Sequence, residues 1–353
     1  KLKVVTILGT RPEIIRLSRL IPKLDEHTDH TLVHTGQNYD RELNEVFFED
    51  LELRQRDYYL DVDTSSLGAV MGDTLRKAEE VFIREKPDAV MILGDTNSAI
   101  AAVVAERMHI PVYHMEAGNR SFDANVPEEL NRRMVDHVSS FNLPYNDYSM
   151  RNLLDEGINP RFIHKTGSTM LEIVRYYEKF ISSSKILEQL NLVPGGYFLA
   201  SIHRQENVDN PLRLTRVLEV LEGVQNERQK PVIVSTHPRT QRRLDDLQLV
   251  VPDGITFAPP FGYFDYNRLQ VGAFCVISDS GTVSEESSIL NFPSVTLRES
   301  MERPEALAAG TVLMTGLDVS SALSTIRFAV NSSRARSTPE GCEVQDFSDR
   351  VII

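Results

Sequence analysis

Between Met115 and Arg132 the chain reads Met115-Glu116-Ala117-Gly118-Asn119-Arg120-Ser121-Phe122-Asp123-Ala124-Asn125-Val126-Pro127-Glu128-Glu129-Leu130-Asn131-Arg132. The apolar run from Pro111 to Met115 ahead of it predicts a buried parallel strand. Pro127 followed by two glutamates predicts the first turn of a helix. Glu116 and Glu128 therefore bracket a loop at the carboxyl edge of a sheet, where open α/β sheets hold their ligands. A third carboxylate, Asp95, follows the preceding strand candidate, Ala89 to Leu93, in Gly94-Asp95-Thr96-Asn97. If the two strands are neighbours the three acids converge. Like-charged neighbours lift a carboxylate's pKa, as a base acting on carbon requires. Each acid also has a plainer use: Glu128 and Glu129 complement a helix dipole, and Asp95 makes an N-cap worth about 1 kcal/mol.

Other residues suit a phosphate. A short strand from Val4 to Leu8 runs into Gly9-Thr10-Arg11-Pro12-Glu13, and Ile14, Leu17, Ile21 and Leu24 then recur at helical spacing. Arg11 and Arg16 stand at or near that helix start, where free N–H groups and the helix dipole favour an anion; pairing with Glu13 is the alternative. In the second half a strand from Phe274 to Ser278 leads through Asp279-Ser280-Gly281-Thr282 into a helix. Its first turn presents N–H groups to a phosphate, and Glu286 can accept from a ribose diol; a capped helix with a solvated glutamate is the alternative. His203 ends the strand Tyr197 to Ile202. An imidazole there can neutralise a departing phosphate oxygen, or serve as a hydrogen-bonded loop residue.

The elements that must position these groups alternate throughout. In the first half, strands at Val4–Leu8, Thr31–Thr35, Ala89–Leu93, Pro111–Met115, Phe141–Tyr145 and Arg161–Lys165 are separated by helical patterns, among them Leu67 to Phe82. A helix from Ser168 to Ile181 leads to the polar stretch Ser182-Ser183-Ser184-Lys185. The alternation then restarts with strands at Tyr197–Ile202, Val232–Ser235, Ile255–Ala258, Phe274–Ser278 and Pro293–Leu297, and closes with a helix from Asp318 to Val330. The expected fold class is α/β, with two Rossmann-like doubly wound domains facing a cleft: residues 1–167 carrying the acids and residues 168–353 carrying the nucleotide edge.

Composition sets outer bounds. At 353 residues two domains are the default, and 41% hydrophobic with 25% charged residues is the balance of a soluble enzyme. A net charge of −13 argues against sequence-independent nucleic-acid binding. Two cysteines and no zinc-like spacing fit a reducing cytoplasm without a disulfide framework or metal site. The apolar N-terminus reads as a strand, and no run of 18 apolar residues predicts a membrane span. No Gly-x-Gly-x-x-Gly follows the first strand and no Walker lysine motif occurs, so neither a dinucleotide cofactor nor ATP hydrolysis is expected.

Taken together, Gly9-Thr10-Arg11-Pro12-Glu13, His34-Thr35-Gly36-Gln37, Gly94-Asp95-Thr96, His114-Met115-Glu116-Ala117-Gly118, Pro127-Glu128-Glu129-Leu130-Asn131-Arg132, Asp279-Ser280-Gly281 and Glu302-Arg303-Pro304-Glu305 stand in an order and spacing that resembles the non-hydrolysing UDP-N-acetylglucosamine 2-epimerases over nearly the full length. The resemblance implies the two-lobed fold also seen in one large glycosyltransferase class (GT-B). It implies inversion at C2 by expulsion of UDP to leave a glycal, protonation on the other face and return of UDP, without metal or nicotinamide. It assigns acid/base work to Asp95, Glu116 and Glu128, assistance at the diphosphate to His203, and UDP binding to Arg11, Arg132, Ser280, Gly281, Glu286 and Arg303, with Tyr266 near the uracil. It also implies a cytoplasmic homodimer.

The chain departs from many members at Arg16, where Lys is usual, at Asn38, where the substrate-activator site has His, and at Asn119, where Leu is usual. The Asn119-Arg120-Ser121-Phe122-Asp123 loop looks more like the branch that makes UDP-N-acetyl-L-fucosamine from UDP-2-acetamido-2,6-dideoxy-L-talose for capsule or O-antigen. Interconversion of UDP-GlcNAc and UDP-ManNAc is the alternative substrate reading. A UDP-sugar-dependent glycosyltransferase and a regulatory binding module are the readings from other classes. The tail looks shorter than the family's, which returns a last helix to the first lobe.

Overall fold

The computed structural model describes residues 1–37, 41–124, 126–299, 304–332 and 338–352. Asn38 and Arg303 lie outside the described residues. The chain divides into two compact units, Lys1–Arg175 with Glu340–Ile353, and Tyr176–Pro339. The division thus falls later than the expected 167/168, and it falls inside one helix, Met170–Ser183, rather than in the polar stretch after it. That helix serves two cores in turn. Glu172 accepts from the Ser348 N–H and hydroxyl, both at 2.9 Å, within the first unit. Tyr177 packs its ring 5.3 Å from Phe264 within the second.

In the first unit β1 (Lys3–Leu8), β2 (Asp29–His34), β3 (Tyr58–Tyr59), β4 (Ala89–Leu93), β5 (Val112–Met115) and β6 (Phe141–Leu143) form one sheet in the order β3-β2-β1-β4-β5-β6. Every pairing is parallel. These strands are short runs of β-branched and aliphatic residues because helices cover the sheet, so both faces must be apolar. Val5, Ile7, Val90 and Ile92 pack with Val81, Phe82, Ala101 and Ala105 from two of those helices.

The second unit repeats the plan. There β7 (Phe198–Ser201), β8 (Val232–Ser235), β9 (Ile255–Ala258), β10 (Cys275–Ser278), β11 (Ser294–Thr296) and β12 (Leu313–Met314) are ordered β12-β11-β10-β7-β8-β9. Counted from its own first strand this is again 3-2-1-4-5-6, the doubly wound order whose reversal of direction leaves a ligand crevice beside the first strand. The expected α/β fold class is therefore present in each unit.

Local departures have local causes. The first helix, expected to run on through Leu24, is two helices, Arg11–Leu17 and Leu20–His27. Pro22 has no N–H for the Ser18 carbonyl four residues back, and its ring clashes there. The strand expected at Arg161–Lys165 is reduced to a single bridge, Asn142 to Ile163, because Asn159 caps a one-turn 3₁₀ helix at Pro160–Phe162. The helix Val319–Asn331 is not the last, since Phe347–Ile352 follows and belongs to the first unit. Phe347 sits 6.0 Å edge-on to Tyr145, and Lys23 pairs with Asp349. The chain does return a terminal helix to the first unit. Among the described residues no helix is long and apolar enough to cross a membrane.

Candidate active-site residues

Each sheet has its topological switch point between its first and fourth strands, and most of the expected site residues stand on the loops that leave those strands or the next. In the first unit the loops are Gly9-Thr10-Arg11 after β1 and Gly94-Asp95-Thr96 after β4. They are tied by a residue whose role the sequence did not disclose. Glu13 accepts from the Gly9 N–H at 2.8 Å, the Thr10 N–H at 2.7 Å and the Thr10 hydroxyl at 2.9 Å, while its other oxygen accepts from the Thr96 hydroxyl at 2.8 Å. Burial pushes this carboxyl up to about 7, against the pull of those donors. Gly9 must be glycine, since a Cβ there would lie 2.0 Å from the Thr35 hydroxyl oxygen. Arg11 opens the Arg11–Leu17 helix with its guanidinium 5.4 Å from the Phe47 ring centroid.

Asp95 and Glu116 follow adjacent strands: the Gly94 N–H donates to the Met115 carbonyl at 3.0 Å, directly ahead of both acids. Arg132 Nη2 lies 2.6 Å from Asp95 Oδ2. Arg16, which the sequence offered as a phosphate ligand, is buried against the other acid, its Nε 3.4 Å from Glu116 Oε2 and its guanidinium over the Tyr145 ring. Glu116 adopts a left-handed conformation, φ 64°, which a non-glycine residue holds only when its surroundings over-determine it. The Asn119 amide donates to Glu116 Oε1 at 3.3 Å and accepts from the Ser149 hydroxyl at 2.8 Å.

The two glutamates at the start of the Pro127–Val138 helix have different fates. Glu129 is buried and accepts from the Ser121 N–H at 2.8 Å, the Ser121 hydroxyl at 3.0 Å, Arg132 at 3.3 Å and Arg133 at 3.1 Å. Burial opposes its ionisation, but the Ser121 donors and Arg132 outweigh it and hold the pKa below the usual carboxylate range. Glu128 is half-buried and makes no hydrogen bond or ion pair among the described residues. It stands four residues before Arg132, on the same helix face. The described contacts therefore join Asp95 to Arg132, and Arg16 to Glu116, while Glu128 shares only a helix face with Arg132.

In the second unit the β7 and β10 loops are tied by Asp279, fully buried, which accepts from the His203 N–H at 3.0 Å, the Arg204 N–H at 3.0 Å and the Asn207 amide at 3.1 Å. His203 Nδ1 is 3.3 Å from Asp279 Oδ1 and its side chain remains 34% exposed, so the ring is anchored yet accessible. Ser280 and Gly281 lead into the Val283–Leu290 helix, with the Ser280 N–H donating to the Ser278 hydroxyl at 3.0 Å. Glu286 lies buried on that helix and accepts from Gln270 at 2.7 Å, so one of its oxygens is committed within the protein. Tyr266 is half-buried on the Tyr263–Gly272 helix.

Residues 22–349 match the family model described as UDP-N-acetylglucosamine 2-epimerase. Among solved structures, a UDP-N-acetylglucosamine 2-epimerase from Rickettsia bellii is 42% identical, with a TM-score of 0.92 over 99% of this chain and 95% of that one. The Methanocaldococcus jannaschii UDP-GlcNAc 2-epimerase in complex with UDP-GlcNAc and UDP is 35% identical, with a TM-score of 0.93 over 99% and 98%. A Pseudomonas aeruginosa UDP-2,3-diacetamido-2,3-dideoxy-D-glucuronate 2-epimerase is 34% identical over 89% of this chain and 88% of its own length.

Proposed function

The chain belongs to the UDP-N-acetylglucosamine 2-epimerase family, and from that premise we propose how this UDP-sugar 2-epimerase, an isomerase, divides its work and which sugar it takes. Asp95, Glu116 and Glu128 act as the acid/base groups at C2. One of them removes the C2 proton as the C1–oxygen bond breaks, giving UDP and a 2-acetamidoglycal. Protonation of C2 from the opposite face and return of UDP to C1 complete the inversion. Two faces require more than one proton-transfer group, which a set of acids on separate loops supplies. His203, with Ser280, Gly281, Glu286, Tyr266, Arg11, Arg16, Arg132 and Arg303, is assigned to UDP. Because a C2 hydrogen is barely acidic, stabilising the leaving diphosphate carries much of the barrier reduction.

The observation that carries this reading is the pairing of Asp95 with Arg132 beside Glu116 with Arg16 at the ends of neighbouring strands. For the sugar, the Asn119-Arg120-Ser121-Phe122-Asp123 loop supports UDP-2-acetamido-2,6-dideoxy-L-talose, with UDP-N-acetyl-L-fucosamine as product. The UDP-GlcNAc/UDP-ManNAc pair is the second reading, supported by the relatives named for UDP-GlcNAc. NMR in deuterium oxide with both UDP-sugars in parallel tests the two. Label entering C2 of only one identifies the substrate, and label in neither rejects epimerisation. A glycosyltransferase would need an acceptor and would put no solvent deuterium at C2.

A further inference from the structure

Beneath Asp95 and Glu116 lies a buried ionic chain that the proposed chemistry does not use. His114, on β5, points Nε2 at the Gly94 carbonyl, 2.8 Å away, and Nδ1 at Asp136 Oδ1, 2.9 Å away, the latter an ion pair rather than an aligned hydrogen bond. A carbonyl and a carboxylate can only accept. A neutral imidazole has one N–H and would set a lone pair against one of them, whereas the imidazolium donates to the carbonyl and holds its charge against the carboxylate. Asp136, fully buried on the Pro127–Val138 helix, also accepts from the Gly118 N–H at 3.1 Å and pairs with Arg120 Nη1 at 2.7 Å. Arg120 in turn grips Glu156 with two bonds of 2.8 and 2.6 Å. With His114 protonated the charges alternate in sign and sum to zero, as buried ions must be paired to be tolerated.

We propose that Asp136 is a positioning residue for the two acids: through the Gly118 N–H it fixes the turn that aims Glu116, and through His114 it fixes the Gly94 carbonyl and hence Asp95. The inference rests on the acid/base reading of Asp95 and Glu116. The turn needs such support, because Glu116 is left-handed and Gly118, φ 80°, is pressed so close that a Cβ would lie 2.2 Å from the Ser149 carbonyl oxygen. Three further groups hold it: Asn152 donates to the Gly118 carbonyl at 2.9 Å, Arg120 to the Asn119 carbonyl at 2.7 Å, and Ser149 to the Asn119 side chain. The charged groups facing His114 are Asp136 from the helix, Asp95 after β4 and, across Asp136, Arg120; β6 brings only Asn142 in register. Burial alone would lower the imidazole's pKa, but Asp136, the Gly94 carbonyl and Asp95 together outweigh it and the pKa is raised.

The test compares the full-length protein with Asp136→Asn, using whichever of the two UDP-sugars the wild type turns over. The amide still accepts from Gly118 and leaves Arg120 on Glu156, but it releases His114 to become neutral. We expect kcat to fall by about 10- to 100-fold, the cost of misaimed reacting groups. KM and the UDP dissociation constant should stay within about threefold, and the alkaline limb of kcat should move to lower pH. An unchanged kcat and alkaline limb overturns the positioning role, and so does a loss shared equally by kcat and UDP affinity with no change in the pH profile. Histidine ¹⁵N spectra of the wild type decide independently of whether the variant folds: both ring nitrogens of His114 protonated at neutral pH supports the inference, and a neutral ring overturns it. Absence of C2 exchange in the wild type with either sugar instead overturns the activity reading on which the inference stands.

Discussion

Arg132 Nη2 stands 2.6 Å from Asp95 Oδ2 and its Nη1 3.3 Å from Glu129 Oε2, so one guanidinium joins the end of β4 to the helix that carries Glu128. The planar guanidinium does this from two separate nitrogens in a fixed fork, a geometry that the single nitrogen of a lysine does not reproduce. Arg132→Lys is expected to lower kcat about 10- to 100-fold, as loss of a fixed geometry does. Asp95→Asn should lose about 10² to 10⁴, the range for a general acid or base. The two changes combined should cost less than the product of the single effects, because both break the same contact. Initial rates of C2 deuterium incorporation measure all three, and strict additivity would separate the two residues' roles.

Glu13 gives a stability signature. Its folded pKa of about 7 lies above the ordinary 4.5, so between those values the folded state holds a proton that the unfolded chain has released. Stability from this group is full below about pH 4.5 and is lost as pH rises through 7, a swing of roughly 3 kcal/mol at most by linkage. Glu13→Gln keeps the shape: its oxygen can accept from Gly9 and Thr10 while its amide donates to Thr96. Denaturant melts at pH 5 and pH 8 should differ less in this variant than in the wild type. Equal differences would show that Glu13 is ionised throughout.

The glycines at the two acid-bearing turns are predicted to behave differently. Both have positive φ, 74° at Gly94 and 80° at Gly118. A Cβ at Gly94 meets nothing within 4 Å, so Gly94→Ala should cost only the left-handed penalty of about 1–2 kcal/mol. At Gly118 the added carbon would strike the Ser149 carbonyl oxygen and carbon, at 2.2 and 2.8 Å, and backbone cannot swing aside. Gly118→Ala should therefore cost more than about 3 kcal/mol, beyond the usual single-substitution range, and should lose activity with it. Chemical denaturation of the two variants side by side is the check.

The doubly wound plan was legible because parallel strands covered on both faces are short apolar runs, and helices between them carry a different period. Carboxylates at strand ends were legible for the same reason, since the sheet's carboxyl edge is fixed once its strands are known. What escaped had no local signal. Tyr58–Tyr59 is too short to alternate, and the Phe347–Ile352 helix owes its place to contacts with Glu172 and Tyr145, distant in sequence. Asp136 looks like any polar residue on an amphipathic helix. Its burial depends on His114 and Arg120 arriving from β5 and the following loop. Arg16 was legible as a cation at the right edge, but not that its partner is Glu116.

Glu128 and Glu129 are adjacent on one helix and should separate cleanly. Among the described residues Glu129 accepts five hydrogen bonds, two from Ser121, one from Arg132 and two from Arg133, and its pKa is depressed by the Ser121 donors and Arg132 in spite of burial. A depressed carboxylate stabilises the fold above its unfolded pKa, and that contribution is lost as pH falls through the folded value. Glu129→Gln should therefore lower the melting temperature at pH 7 and flatten the loss of stability on acidification. Removing charge from a group held by these donors costs about 1–3 kcal/mol. Glu128, with no partner among the described residues, has nothing to give up in the fold. Glu128→Gln should melt within about 0.5 kcal/mol of wild type, as for changes away from structural features, yet lose about 10² or more in kcat if it transfers a proton at C2. Thermal melts at pH 7 and at pH 3, below the ordinary carboxylate value, with C2-exchange rates at pH 7 on both variants decide the matter. A Glu128→Gln enzyme with full exchange would move the proton-transfer role to Asp95 and Glu116 alone.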